Sequence, residues 1–267
     1  MRRFAQFSTH LMDDSCRTVT LIITTLFVGV LGAACTSSPT TEVTLEQAIQ
    51  TPQPTSSTSL SPVDWIHRWQ QGVPCKAPCW ESIVPGTTSP TEAVAVLLNS
   101  TFVTTASIST SPQFPNLGFV NWTYSDGSAE GGAVFDIQSS PPTVYAISPG
   151  FPSAVRLRDV MKTYGEPKYI VAAALRNPHD DGISYALRII FWPQGILLSK
   201  DGLGKPALDD DTRFEQVTFF QPTEQTLKAE LAGLANHPEW LVPWQGMNSF
   251  DFYCKDKENG RACIGQP

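Results

Sequence analysis

The feature that most restricts how this chain can fold is the run Pro74-Cys75-Lys76-Ala77-Pro78-Cys79-Trp80-Glu81-Ser82-Ile83-Val84-Pro85-Gly86-Thr87-Thr88. Proline lacks a backbone donor and fixes its own φ, so neither a helix interior nor a central strand passes through Pro74, Pro78 or Pro85. The run is therefore a turn region that ends where the first well-patterned helix begins, at 91–98, with an apolar face at Val94, Leu97 and Leu98. A shorter echo, Ile147-Ser148-Pro149-Gly150-Phe151-Pro152-Ser153, stands before a second helical stripe, Leu157, Val160, Met161 and Tyr164. The echo predicts two copies of one small α+β unit.

Alternating, β-branched or aromatic runs follow the first helix at 101–108, 117–124, 133–138 and 143–148, punctuated by Pro115-Asn116, Asp126-Gly127 and Pro141-Pro142. Similar runs at 169–175, 184–192, 195–199 and 213–220 follow the second helix, which Gly165 and Pro167 stop. The expected fold class is α+β, with two tandem helix-plus-antiparallel-meander modules at 63–148 and 149–267. The second module adds a C-terminal helix through Leu227, Leu231 and Leu234, with Glu224 and Lys228 paired at i,i+4, and a tail closed by cysteines. Ser61-Pro62-Val63-Asp64 reads as the start of a short helix that carries Trp65, Ile66 and Trp69 and ends at Gly72.

Residues 1–34 read as a lipoprotein signal peptide. Arg2, Arg3 and Arg17 flank an apolar run, and Leu31-Gly32-Ala33-Ala34-Cys35 supplies small residues before a cysteine. Cys35 is the expected lipidation site, although Leu31 lies one place further from it than the lipobox pattern puts it. An uncleaved anchor helix is the alternative. Both readings place the rest of the chain on the extracytoplasmic side of a cell membrane, its membrane partner reached through the N-terminal lipid. Residues 35–62 read as a linker. Seventeen of the 27 residues at 36–62 are Ser, Thr or Pro, too few of them apolar to offset the entropy of ordering. Hydrophobic residues make up 41% of the chain and charged residues 16%, enough apolar material for a core. The net charge of −7 comes without a basic stripe, which argues against nucleic acid as a partner.

After Cys16 in the leader and a lipidated Cys35, four cysteines remain, Cys75, Cys79, Cys254 and Cys263. An even number outside the cytoplasm reads as disulfides, with three connectivities open. Cys75–Cys79 and Cys254–Cys263 are preferred because Pro78 and the Asn259-Gly260 turn bend each short loop back on itself. Cross-pairing stays open, since longer closed loops gain more from chain entropy. Zinc is not expected: the C-x₃-C spacing is off pattern and no histidine pair sits nearby.

The Cys-x₃-Cys-Trp sequence at 75–80, the Ile-x-Pro-Gly-Thr turn at 83–87 and Tyr164-Gly165-Glu166-Pro167 resemble a group of uncharacterised bacterial lipoproteins. More distantly, helix-then-meander units with these motifs resemble the small outer-membrane assembly lipoproteins and the β-lactamase-inhibitor-protein fold. Pro85, Gly86, Thr87, Gly165 and Pro167 carry the resemblance, spread over 75–220. The second turn departs from it, with Phe151-Pro152-Ser153 where threonine is expected. The resemblance implies a binding or scaffold role without catalysis.

No nucleophile elbow, metalloprotease helix, phosphate loop or dinucleotide fingerprint is present, so no catalytic residue, cofactor or metal is expected. His179 beside Asp180 and Asp181 is the one arrangement that suggests a general base, and it lacks a nucleophile in reach. Glu81, Glu130 and Glu166 supply a glycosidase pair only if two of them face one cleft. Asp209-Asp210-Asp211 lacks the spacing of a calcium loop. His67 and His237 read as structural. The tryptophans Trp65, Trp69, Trp80, Trp122, Trp192, Trp240 and Trp244 are the more suggestive set, either as core or as a recognition surface for a glycan or protein ligand. The expected function is a non-catalytic binding or interaction protein of the cell envelope. The alternative is a hydrolase of envelope carbohydrate or peptide.

Overall fold

The structure, a computed structural model, describes residues 68–151, 153–176, 182–231, 240–254 and 264–265. Cys35, Trp65, His67, His179, Asp180, Asp181, His237 and Cys263 lie outside the described residues, as do the expected signal peptide and linker. All described residues belong to one compact unit, Ser59–Pro267. Among them no helix is long and apolar enough to cross a membrane.

Residues 68–70 form a last helical turn that Gly72 ends at φ 73°, where the Val73 N–H closes onto the Arg68 carbonyl at 2.9 Å. This is the glycine stop expected from sequence. Helix α1 (Pro90–Leu98) begins with a reciprocal cap. The Glu92 N–H donates to Ser89 Oγ at 3.3 Å, and the Ser89 N–H donates to Glu92 Oε2 at 2.9 Å. Two helix-end donors are thereby satisfied, and the Ser89 N–H and Ser89 hydroxyl, both donating to Glu92 Oε2, hold the Glu92 carboxyl below its usual range. Helix α2 (Leu157–Tyr164) buries Leu157 and Val160, and Gly165 ends it with an N–H to the Met161 carbonyl at 2.9 Å.

Strands β1 (Val103–Ser111), β2 (Phe114–Tyr124), β3 (Glu130–Asp136) and β4 (Val144–Ser148) form one antiparallel meander. After β5 (Val155–Arg156) and α2 come β6 (Tyr169–Arg176), β7 (Ile183–Phe191) and β8 (Ile196–Gly202), a second run of antiparallel neighbours. The expected strand at 213–220 is divided at Glu215. Its first part, β9 (Arg213–Phe214), leaves the sheet to pair with β5, Phe214 opposite Val155. Its second part, β10 (Gln216–Phe220), pairs on one side with β8 and on the other with β4, Ile147 opposite Phe219. Across that seam Ser148 Oγ and Thr218 Oγ1 are 2.9 Å apart.

The result is one continuous ten-stranded sheet in the order β1-β2-β3-β4-β10-β8-β7-β6, closed at the far edge by β11 (Val242–Pro243), with β12 (Ile264–Gly265) parallel to β6. The molecule is thus mixed α and β, built on a large antiparallel sheet with a few helices. Two further helices complete the order, α3 (Glu224–Glu230) and α4 (Phe250–Tyr253). The expected i,i+4 pair in α3 forms, Lys228 Nζ to Glu224 Oε1 at 2.9 Å. Pro115-Asn116, expected as a turn, lies inside β2, because the β1–β2 hairpin turns earlier, at residues 112–113. The register shift between Thr110 and Ser111 interrupts the ladder near Pro115, and an interrupted ladder is where a strand tolerates proline.

Strand alternation assigns the side chains to two layers. Val120, Trp122, Leu187, Ile189, Leu198 and Phe219 face a first core, which Leu157 and Val160 of α2 and Leu97 of α1 join. The intervening positions Val171, Ile190, Leu197 and Phe220 face a second core, covered by Leu227 and Leu231 in and just after α3. Strands β6, β7, β8 and β10 are therefore apolar on both faces, and their near-continuous hydrophobic runs follow. Each fully buried side chain of this size contributes about 1.5–3 kcal/mol. Strand β1 has the opposite character. Thr104, Thr105, Ser107, Ile108, Ser109 and Thr110 are all exposed.

Candidate functional site

The cysteine turn folds as a covalent knot against α1 and the sheet. Cys75 and Cys79 form a disulfide with Cα atoms 5.7 Å apart. Beyond it, Trp80 and Ile83 bridge as antiparallel partners, with N–H to carbonyl distances of 3.0 and 2.8 Å. The two residues between them, Glu81 and Ser82, sit at φ 48° and 70°, the left-handed region that side chains disfavour. The following Pro85-Gly86 corner is sewn to β4: the Gly86 N–H donates to the Val144 carbonyl and the Val144 N–H to the Thr88 carbonyl. In the echo, Gly150 stands at φ 67° with its Cα against the Glu130 carbonyl oxygen, which an added Cβ would meet at 1.8 Å. Only glycine fits there.

The tryptophans divide into two groups. Trp69, Trp80 and Trp122 are buried members of the first core, so the recognition-surface reading is corrected for all three. Trp80 stacks on Trp122 with centroids 5.3 Å apart, and Trp69 lies between Phe151 and Tyr164, 5.9 Å from each. Trp122 also crosses Gly131, where a Cβ would come within 2.1 Å of the indole. A strand residue with no side chain makes room for the largest one on its neighbour. Trp192, Trp240 and Trp244 are half-buried. The first two pack at the second core beside Tyr145 and Tyr169, and Trp244 stacks on Tyr253. Trp65 lies outside the described residues.

Glu81 is 9% exposed, with Oε2 3.4 Å from an Arg68 guanidinium nitrogen and Oε1 without a hydrogen-bond partner. Burial pushes its carboxyl above the usual range, and Arg68 opposes the shift. Glu130 and Glu166 are exposed, in β3 and after α2. Burial raises the Tyr124 hydroxyl, which donates to the Pro149 carbonyl. Asp209 serves its own loop, accepting from Thr212 Oγ1 at 3.0 Å. Among the described residues no three His, Cys, Asp or Glu side chains come together as a metal site. Cys254 is buried and disulfide-bonded, and Cys263 lies outside the described residues.

Sequence reasoning passed over the feature most open to a partner, the free side of β1. This strand forms one border of the sheet, while β11 and β12 cover β6 at the other. Its nine residues include no charge and no proline, two of the devices that commonly blunt an exposed edge, and its register shifts lie only near its ends. The signal lay in the sequence as an uncharged, β-branched run. Its place at the border depends on strand order. Compared with family models, curated proteins and solved structures, the chain finds no match in any of the three.

Proposed function

We propose that this chain is a lipid-anchored, extracytoplasmic protein that binds a partner polypeptide and performs no chemistry on it. The observation that carries the reading is the β1 border: a nine-residue uncharged strand, exposed at Thr104, Thr105 and 107–110, on a sheet whose opposite border strand β6 is paired in part by β11 and β12. Such a border presents a row of backbone donors and acceptors to an incoming extended segment, which adds as a further strand. Bulges at both ends, between Val103 and Thr105 and between Thr110 and Ser111, confine the regular ladder to its middle.

Cys35 is the proposed acylation site, and the linker at 35–62 the proposed tether. The Cys75–Cys79 disulfide supports an oxidising location, and Cys254–Cys263 is the proposed second bridge. The two-module reading belongs here as well: the helix-then-meander order occurs twice, and the two last strands, β4 and β10, meet at the middle of the sheet. That arrangement is what a duplicated unit joined through its last strand produces.

The test is site-specific photocrosslinking in intact cells. A benzoylphenylalanine at Ser107 is expected to give a discrete adduct, absent with the same probe at exposed Lys162 on α2. Ile108→Lys, 47% exposed in the wild type, is expected to abolish that adduct without changing the melting temperature. Equal adducts from both positions, or an adduct indifferent to Ile108→Lys, would sink the reading.

A further inference from the structure

The hydrogen bonds of β2 fix which backbone groups of β1 are free. The Tyr124 N–H donates to the Ala129 carbonyl and the Ile137 N–H to the Asn116 carbonyl, so the even-numbered residues of β2 turn their backbone groups toward β3. The odd-numbered residues Phe119, Asn121 and Thr123 turn theirs toward β1, where they oppose Ser109, Ser107 and Thr105. Alternation then points the N–H and C=O of Ala106 and Ile108 away from β2, and among the described residues no strand lies beyond them. The side chains of this stretch are mirror-related about Ser107. Thr105 and Ser109 bear hydroxyls on one face, while Ala106 and Ile108 are apolar on the face that carries Val120 and Trp122. All five residues lie between the two register shifts of β1, and all but Ala106 are exposed.

We infer that the partner at this border is a second copy of the chain, its β1 antiparallel to the first about a two-fold axis through Ser107. The inference rests on the strand-addition reading above and names its occupant. In this register Ser107 faces Ser107, Thr105 faces Ser109 and Ala106 faces Ile108 of the second copy: hydroxyl meets hydroxyl and apolar meets apolar. The Ala106–Ile108 pairs exchange both of their backbone bonds, which satisfies every outward group of the stretch. Ile108, 47% exposed in one copy, gains an apolar neighbour. Moving the axis to Ile108 sets Ala106 against Thr110, and moving it to Ala106 sets Ile108 against Thr104; only the axis through Ser107 matches both faces. Each chain has a net charge of −7, but β1 contributes none of it, so no like charges are brought opposite each other along the strand pair.

The test is disulfide trapping of the full chain in intact cells, read on non-reducing gels. Ser107→Cys is expected to give a linked species of twice the chain mass, because residues opposed in a non-hydrogen-bonded pair have Cα atoms about 4.5 Å apart. Ser109→Cys alone is expected to give none, since its two copies stand four residues apart along the strands, roughly 14 Å, beyond the reach of a disulfide. Coexpressing Thr105→Cys with Ser109→Cys should restore the species, and adding Ile108→Lys to Ser107→Cys should remove it. Equal trapping at Ser107→Cys and Ser109→Cys, or none at Ser107→Cys, overturns the inference. The mass of the benzoylphenylalanine adduct at Ser107 separates the two readings. Two copies of the chain support both; one copy joined to a different polypeptide overturns the inference and leaves strand addition standing; no discrete adduct overturns both.

Discussion

The backbone N–H of Ser82 points at the Sγ of Cys75, 3.4 Å away, which ties the disulfide to the tip of the Trp80–Ile83 turn. At that tip Glu81 and Ser82 hold positive φ values of 48° and 70°, a pairing that two-residue turns normally fill with glycine or asparagine. The flanking Trp80 and Ile83 are fully buried, and their packing holds the turn in place. Ser82→Gly relieves the left-handed penalty at one of the two positions. It is expected to raise stability by about 0.5–1 kcal/mol, after allowance for the greater freedom of glycine in the unfolded chain. Urea denaturation of the oxidised protein measures it, and a loss of stability would contradict this account of the turn.

Glu81 links stability to pH. Burial raises its carboxyl above the ordinary range, so the folded state holds the proton more tightly than the unfolded state. The contribution is fully present below the unfolded pKa and is lost as pH rises through the folded one. Glu81→Gln removes that loss. The variant should therefore gain on the wild type as pH rises from about 4 to about 8, measured by denaturant titration at each pH. Arg68→Ala should steepen the wild-type loss, because the opposing guanidinium is gone. A pH-independent difference between Glu81→Gln and wild type would remove the buried carboxyl from the account.

The division of the tryptophans predicts unequal costs. Trp122→Ala empties a site closed by Trp80 and by Gly131 and should cost about 3–5 kcal/mol. Trp192→Ala, at a half-buried position 6.2 Å from Phe220, should cost clearly less. Thermal melts of the two variants compare them directly, and equal losses would mean that Trp192 is core after all.

The cysteines offer a check on processing. Cys35→Ala should abolish metabolic labelling with palmitate. The processed chain should show no free thiol by intact mass, and one proteolytic fragment should link residues 75 and 79. Palmitate retained by Cys35→Ala would point to an anchor of another kind.

Much of the secondary structure was legible because periodicity is a local property. The stripe Leu157, Val160, Met161 and Tyr164 became α2, and the alternation around Val120, Trp122 and Tyr124 became β2 with those three side chains buried. Short elements escaped. The two residues of β5, β9, β11 and β12 carry no period; β11 and β12 form because β6 supplies a partner, and β5 and β9 because each supplies the other's. The fate of the tryptophans was equally hidden. Nothing within a few residues of Trp80 and Trp122 says that they stack on each other, and that contact spans 42 positions of chain (122 − 80).

The sequence by itself determined the type and order of the longer helices and strands, and that the turn at 74–88 interrupts both, because caps, prolines and hydrophobic spacing act through neighbouring residues. Only the tertiary structure decided that both meanders share one sheet through β4 and β10, that Glu81 lies inside, and that β1 is left as a bare border. Those outcomes depend on which strands find each other across the chain, and pairing between distant segments is set by the packing of whole faces.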